Sequence, residues 1–241
     1  DKPLQGSVAI VTGAGRGIGR SIALTLGRSG AAVALAARTE AELRKVQGTI
    51  EALGERACTL PTDVSQEQDV IALVQDTITH FGHLDILINN AGIGIYGPLV
   101  ETTTEQWDRI MAVNARGPFL LCREAIPYLK QREHPFIINI TSVVGIKGYV
   151  NQAAYSASKH AVMGMTKALA KEVQADGIRV HVICPGGVDT EMVSRARPDL
   201  DRSVLMQPEE IADVVLFLLI RRGNAVMDAV YLRRAASTPW A

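Results

Sequence analysis

Aromatic residues are scarce in this sequence, 5% of 241 positions, and cysteine is scarcer still, with only Cys58, Cys122 and Cys184. An odd trio without metal-type spacing argues against a disulfide framework or a zinc site and predicts three reduced, partly buried thiols. Net charge is missing too, because 25 Lys and Arg offset 25 Asp and Glu. That balance holds no attraction for a nucleic acid or an anionic membrane. The longest apolar run, Val214 to Ile220, is far too short to cross a bilayer, and no N-terminal stretch carries the apolar core of a signal peptide. Asp1 reads as a trimmed or incomplete start. Together these absences predict a soluble cytoplasmic protein that needs no metal.

What is present is apolar and aliphatic. Apolar residues make up 47% of the chain against 21% charged, with Ala, Val, Leu and Ile dominant. This suits parallel strands covered on both faces. A chain of this length fits one large α/β domain spanning 1–241. Val8–Val11, Ala32–Ala36, Leu84–Ile88, Phe136–Ile140 and Val180–Ile183 read as buried strands, with Arg56–Leu60 and Ala225–Leu232 as weaker candidates. Helical patterns separate them. Val70, Leu73, Val74, Thr77, Ile78 and Phe81 form an amphipathic stripe, entered through a capping box of Ser65 with Gln68 and stopped by Gly82. A second stripe from Ile211 to Leu219 starts behind Pro208. Strand and helix in alternation predict a doubly wound parallel sheet, whose ligands bind beyond the carboxyl ends of the strands.

The segments that follow those strand ends carry the chemistry. After the first strand comes Thr12-Gly13-Ala14-Gly15-Arg16-Gly17-Ile18-Gly19, opening a helix over Arg20 to Leu26. Glycines there permit a tight turn and close approach to a pyrophosphate, and the helix N-terminus faces the anion. The second strand ends Ala36-Ala37-Arg38-Thr39. No carboxylate stands where an NAD-preferring fold would hold its ribose. Arg38 offers a guanidinium to a 2′-phosphate, Arg16 a second cation and Thr39 a hydroxyl, so NADP(H) is the expected cofactor. Further on, Tyr155 and Lys159 lie four residues apart on a helical pattern and share one face. A cation beside a phenol lowers its pKa toward the range useful for proton transfer. Ser142 follows the fifth strand, positioned to hydrogen-bond a carbonyl oxygen. None of the five histidines stands where it would activate that serine as a nucleophile, and all five read as structural.

Taken together these segments resemble the short-chain dehydrogenase/reductase family from Ser7 to about Leu219. The glycine turn is similar to the family's T-G-x-x-x-G-x-G, Asp63-Val64 to its adenine contact, and Asn89-Asn90-Ala91-Gly92 to its N-N-A-G segment. Asn114, Ser142, Tyr155 and Lys159 fall at its catalytic tetrad, and Pro185-Gly186-Gly187-Val188-Asp189-Thr190 matches the P-G-x-V-x-T that holds the nicotinamide amide. The resemblance implies a seven-stranded parallel sheet in the order 3-2-1-4-5-6-7. It also implies cofactor contacts at Gly13, Arg16, Gly17, Ile18, Gly19, Arg38, Thr39, Asp63, Val64, Asn90, Ala91, Gly92, Tyr155, Lys159, Pro185, Gly186, Val188 and Thr190. Tyr155 is implied as proton donor or acceptor and Ser142 as the group that orients the substrate oxygen. Lys159 is implied as ribose ligand and pKa depressor, and Asn114 as holder of a water. A carbonyl or secondary-alcohol substrate and a homo-oligomer, tetramer or dimer, are implied as well. Thr141 to Gly145 and Gln152 look like the 3-oxoacyl-carrier-protein reductases.

Two departures stand out. The substrate loop at about 191–207 is short, which predicts an open site lined by Ile93, Ile95, Tyr96, Val144, Tyr149, Gln152 and Met192. The last strand lacks the family's V-D-G-G ending and runs into Arg233, Arg234, Pro239 and Trp240, the arginines being expected as solvated charges. Competing readings are an NAD-linked alcohol dehydrogenase and a dinucleotide sensor without catalysis.

Overall fold

The computed structural model describes residues 2–196 and 201–239. Seven strands form one parallel sheet: β1 (Val8–Thr12), β2 (Ala32–Ala37), β3 (Ala57–Pro61), β4 (Ile86–Asn89), β5 (Phe136–Ile140), β6 (Arg179–Pro185) and β7 (Ala229–Leu232). Their spatial order is β3-β2-β1-β4-β5-β6-β7, as the resemblance implies. Eight α-helices accompany them among the described residues: α1 (Gly17–Arg28), α2 (Glu40–Glu51), α3 (Glu67–Phe81), α4 (Thr104–Met111), α5 (Gly117–Leu129), α6 (Ala153–Glu172), α7 (Glu191–Ala196) and α8 (Pro208–Leu219).

The period-two geometry of β1 divides the core. Ala9 and Val11 face a cluster holding Ile22 and Leu26 of α1, Val46 and Ile50 of α2, and Ile211 and Val215 of α8. Val8 and Ile10 face the other side, with Leu73 of α3, Leu121 of α5 and Leu169 of α6. Every residue of β1 and β5 is buried, which is why these strands read as unbroken apolar runs.

Three local expectations meet a different outcome. Ser65 and Gln68 do not cap α3. The Ser65 N–H and hydroxyl both donate to Asp63 Oδ1, at 3.0 and 2.6 Å, so the hydroxyl is already committed and the helix starts two residues later behind Gln66. Gly82 does end that helix, at φ 89°. The final strand is shorter than Ala225–Leu232 and pairs only from Ala229, in register with Val182 of β6. Arg233 is not simply solvated, because its guanidinium donates to the carbonyls of Arg234, Ala235 and Ser237. Trp240, and residues 197–200 of the substrate loop, lie outside the described residues.

Candidate active site

At the carboxyl edge of the sheet the chain leaves a cleft of about 790 Å³, within the usual range for small-molecule sites. The glycine turn forms one wall. Gly13 has φ 66°, favourable to glycine, and a Cβ built on Gly19 would stand 2.2 Å from the Gly13 carbonyl oxygen. Two segments far apart in sequence are sewn together beneath it. Thr12 Oγ1 accepts from the N–H groups of Asn90 and Ala91, both at 3.0 Å, and Asn90 Nδ2 donates to Thr12 O at 2.9 Å. The turn after β1 and the N-N-A-G segment after β4 therefore form a single rigid floor.

This wall fits a dinucleotide. Its glycines leave room for a phosphate against the first turn of α1, which carries no acidic residue of its own, while the nearby Glu42 and Glu191 are paired with Arg16 and Glu209 accepts from Ser21. Arg38 is exposed and lines the cleft, and among the described residues no carboxylate lies within ion-pair distance of it. Glu40, its neighbour in sequence, pairs with Arg44 instead, at 2.5 Å. Arg16 is engaged: its Nη1 lies 2.5 Å from Glu191 of α7 and 3.8 Å from Glu42 of α2. Burial pushes the Asp63 carboxyl up, but the Ser65 hydrogen bonds and Arg109, 3.2 Å away, outweigh it and hold the group below the ordinary value.

The opposite wall comes from α6. Tyr155 and Lys159 are 9% and 5% exposed, and both line the cleft. The Lys159 ammonium lies 5.7 Å from the Tyr155 ring centre and donates to Ile140 O at 3.4 Å. Their titration departs from the sequence-based expectation. Burial, helped by the neighbouring Tyr96 phenol, pushes Tyr155 well above the ordinary tyrosine value, and Ser142 offsets this only in part. Burial also lowers Lys159 to about 8. In the chain alone, desolvation outweighs the attraction by which Lys159 was expected to depress the phenol. Ser142 begins the turn after β5, its hydroxyl 3.3 Å from Pro185 O and accepting from Val144 N–H at 3.3 Å.

Asn114 stands just behind Lys159, in a π-helical turn, Ala112–Arg116, between α4 and α5. Its Oδ1 accepts from Ile93 N–H at 2.8 Å, and its Nδ2 donates to Ile93 O at 2.9 Å. Turns of this kind occur often at functional sites, and Asn114 is buried within this one.

Of the expected residues, Gly13, Arg16, Gly17, Ile18, Arg38, Thr39, Asp63, Val64, Asn90, Ala91, Gly92, Tyr155, Lys159 and Thr190 line the cleft. Gly19, Asn114, Ser142, Pro185, Gly186 and Val188 are not among the residues that line it. Of the expected substrate contacts, Ile93, Tyr96 and Met192 reach the cleft. Ile95 and Val144 instead pack in an apolar cluster with Tyr155 and Ile110. Tyr149 is exposed and Gln152 immediately precedes α6, and neither lines the cleft. None of the five histidines lines the cleft, and no cluster among the described residues has the makings of a metal site. Sequence reasoning missed Glu42, Arg109 and Glu191. Their roles arise from contacts across elements and left no motif to find.

A family model described as short chain dehydrogenase matches residues 7–201. The chain is 38% identical to a 3-oxoacyl-[acyl-carrier-protein] reductase of Pseudomonas aeruginosa, over 89% of this chain and 90% of that one. It is 36% identical to an uncharacterized oxidoreductase of Thermotoga maritima, over 88% and 90%. Among solved structures it resembles a metagenomic short-chain oxidoreductase in complex with NADP, with TM-score 0.86 and 35% identity over 98% of this chain and all of that one. A dehydrogenase/reductase of Sinorhizobium meliloti 1021 gives the same TM-score and identity over 95% and 93%. This protein belongs to the short-chain dehydrogenase family. It is an oxidoreductase of that family, and among its described residues no helix is long and apolar enough to cross a membrane.

Proposed function

We propose that this chain is an NADP(H)-dependent carbonyl reductase acting on a 3-oxoacyl compound or small ketone, with Asn114, Ser142, Tyr155 and Lys159 as its catalytic set. One observation carries the reading. A phenol and an ammonium, both buried, line the same cleft as a glycine turn built to receive phosphate. Arg38, standing beyond the two alanines that end β2, supports NADP over NAD, as does the NADP bound by the metagenomic neighbour. The relatives named 3-oxoacyl reductases support the substrate class.

When bound, the nicotinamide supplies the hydride that reaches the carbonyl carbon. The protein's own work is proton handling and positioning. Tyr155, kept protonated by burial, donates its phenolic proton to the carbonyl oxygen. Ser142 donates a hydrogen bond to the same oxygen and orients it. Lys159 binds the nicotinamide ribose and steadies the phenolate left after transfer. The glycine turn with Ile18 and Thr39 holds the phosphates and adenosine, Asp63 and Val64 border the adenine, and Asn90 to Gly92 carry the floor. Pro185, Gly186, Val188 and Thr190 hold the nicotinamide amide.

Residues 1–241 would act as one nucleotide-binding domain, and homo-oligomers, tetramer or dimer, would join through the helices around Asn114 and Tyr155. Exposed Trp107 and Phe119 on α4 and α5 support that assembly. Three free cysteines support a reducing, cytoplasmic setting.

The test is NADPH consumption, followed at the absorbance of the reduced nicotinamide, with a panel of ketones, diketones and acetoacetyl thioesters. Turnover of at least one carbonyl is expected. No absorbance loss with any of them leaves a nucleotide sensor as the better reading, and faster turnover with NAD and an alcohol leaves an alcohol dehydrogenase.

A further inference from the structure

The cation that the glycine turn offers to a phosphate is already engaged. Arg16 Nη1 donates to Glu191 Oε2 at 2.5 Å, and Glu191 stands 175 residues further on, at the start of α7. Both side chains are exposed, and both line the cleft that the glycine turn walls. A phosphate meeting Arg16 therefore finds a carboxylate within hydrogen-bond distance of the same guanidinium. The two anions repel, and both want the same planar donors. Glu191 is able to yield without being left unpaired. Its other oxygen, Oε1, accepts from Arg195 one turn along α7. Glu42 of α2 also pairs with Arg16, but at 3.8 Å it lies beyond hydrogen-bond distance, so Glu191 is the carboxylate that holds the guanidinium. Of the two arginines expected at a 2′-phosphate, Arg38 has no carboxylate within ion-pair distance among the described residues, and Arg16 has two.

We propose that Glu191 is a specificity-determining residue for the cofactor: by occupying Arg16 it weakens the preference for a 2′-phosphate, and a phosphate that binds Arg16 does so by displacing it. The proposal rests on the reading that the cofactor is NADP(H), with Arg38 and Arg16 as the cations at its 2′-phosphate. It gives Glu191 no part in hydride or proton transfer.

The experiment measures dissociation constants for NADPH and NADH, from the fluorescence of the reduced nicotinamide, at low ionic strength. The proteins are the parent, Glu191→Gln, Glu191→Ala, Glu42→Gln, Arg16→Ala and the Arg16→Ala/Glu191→Gln double variant. The quantity read is the Kd for NADH divided by the Kd for NADPH. Glu191→Gln is expected to raise it about two- to fivefold, the range of one exposed ion pair. Glu191→Ala should give the same rise, and carries the test should the glutamine amide still hold Arg16. Glu42→Gln should give a smaller one. Arg16→Ala lowers the ratio, and adding Glu191→Gln to it should change nothing further. The proposal is overturned by an unchanged ratio in both Glu191 variants, by a rise of equal size when Arg16 is absent, or by a larger rise from Glu42→Gln. A parent ratio near one that Arg38→Asp leaves unmoved would instead remove the NADP(H) reading, and this inference along with it.

Discussion

Two cations line the same cleft in opposite physical states. Lys159 is 5% exposed, cannot escape the protein, and burial lowers it to about 8. Arg38 is exposed at the far end of the cleft, where among the described residues no carboxylate pairs with it. A cation out of water is an electrostatic instrument, because its field acts through a poorly screening medium and its own proton becomes labile. A solvated guanidinium keeps its charge whatever its surroundings, and its planar donors suit an oxyanion. The difference separates proton chemistry at the α6 wall from anion reading at the glycine wall.

Removing the proton source tests the buried side most severely. Tyr155→Phe keeps the ring that packs against Tyr96, whose centre lies 5.5 Å away, so folding and NADPH binding should persist. Turnover should fall by about 10² to 10⁴, the range for loss of a general acid. A variant reducing ketones at the parent rate would show that the phenol is not the proton source.

At the exposed end the expected effect is smaller and has a different signature. Arg38→Asp replaces a donor to the 2′-phosphate with a charge that repels it. The ratio of NADPH to NADH affinity should drop by about 10- to 100-fold, as for a lost hydrogen bond between charged groups. NADH binding itself should change little. An unaltered ratio would mean that Arg38 does not read the phosphate, leaving Arg16 to leave its partner Glu191 and do so.

The extent to which these two ends were legible in the sequence follows the same divide. β5 is found at Phe136–Ile140 to the residue, because every position in it is buried and Pro135 and Thr141 bound it. The glycine turn was legible because only glycine tolerates the crowding between Gly13 and Gly19. Spacing alone put Tyr155 and Lys159 on one face of α6. What spacing does not carry is burial, so the direction of the Tyr155 shift came out opposite to expectation. The Ser65–Gln68 box failed for a related reason: Asp63, two residues earlier, took the hydroxyl first. The π-helical turn at Asn114 and the Glu191–Arg16 pair arise from contacts between segments, which no local pattern records.

The smallest effect bears most directly on the buried cation. In the folded chain Lys159 is lowered to about 8 from an ordinary value of 10.5. Below pH 8 both folded and unfolded chains hold the proton, and the folded state bears the full penalty of a desolvated ammonium. Between about 8 and 10.5 the unfolded chain binds more protons than the folded one, so this group makes stability rise with pH. Tyr155 works the other way, since its raised folded value favours the folded state until the phenol of the unfolded chain ionises near 10. The buried thiols, which burial also raises, lose stability as the unfolded cysteines ionise near 9, so between pH 8 and 10 the lysine is isolated by subtracting the profile of a variant that keeps those thiols. Across that window the cofactor-free protein should gain on the order of 2 kcal/mol relative to Lys159→Met, read from urea midpoints at each pH. Parallel profiles for the two proteins would mean that the ammonium is better solvated than its burial implies, and the contrast with Arg38 would then be one of position alone.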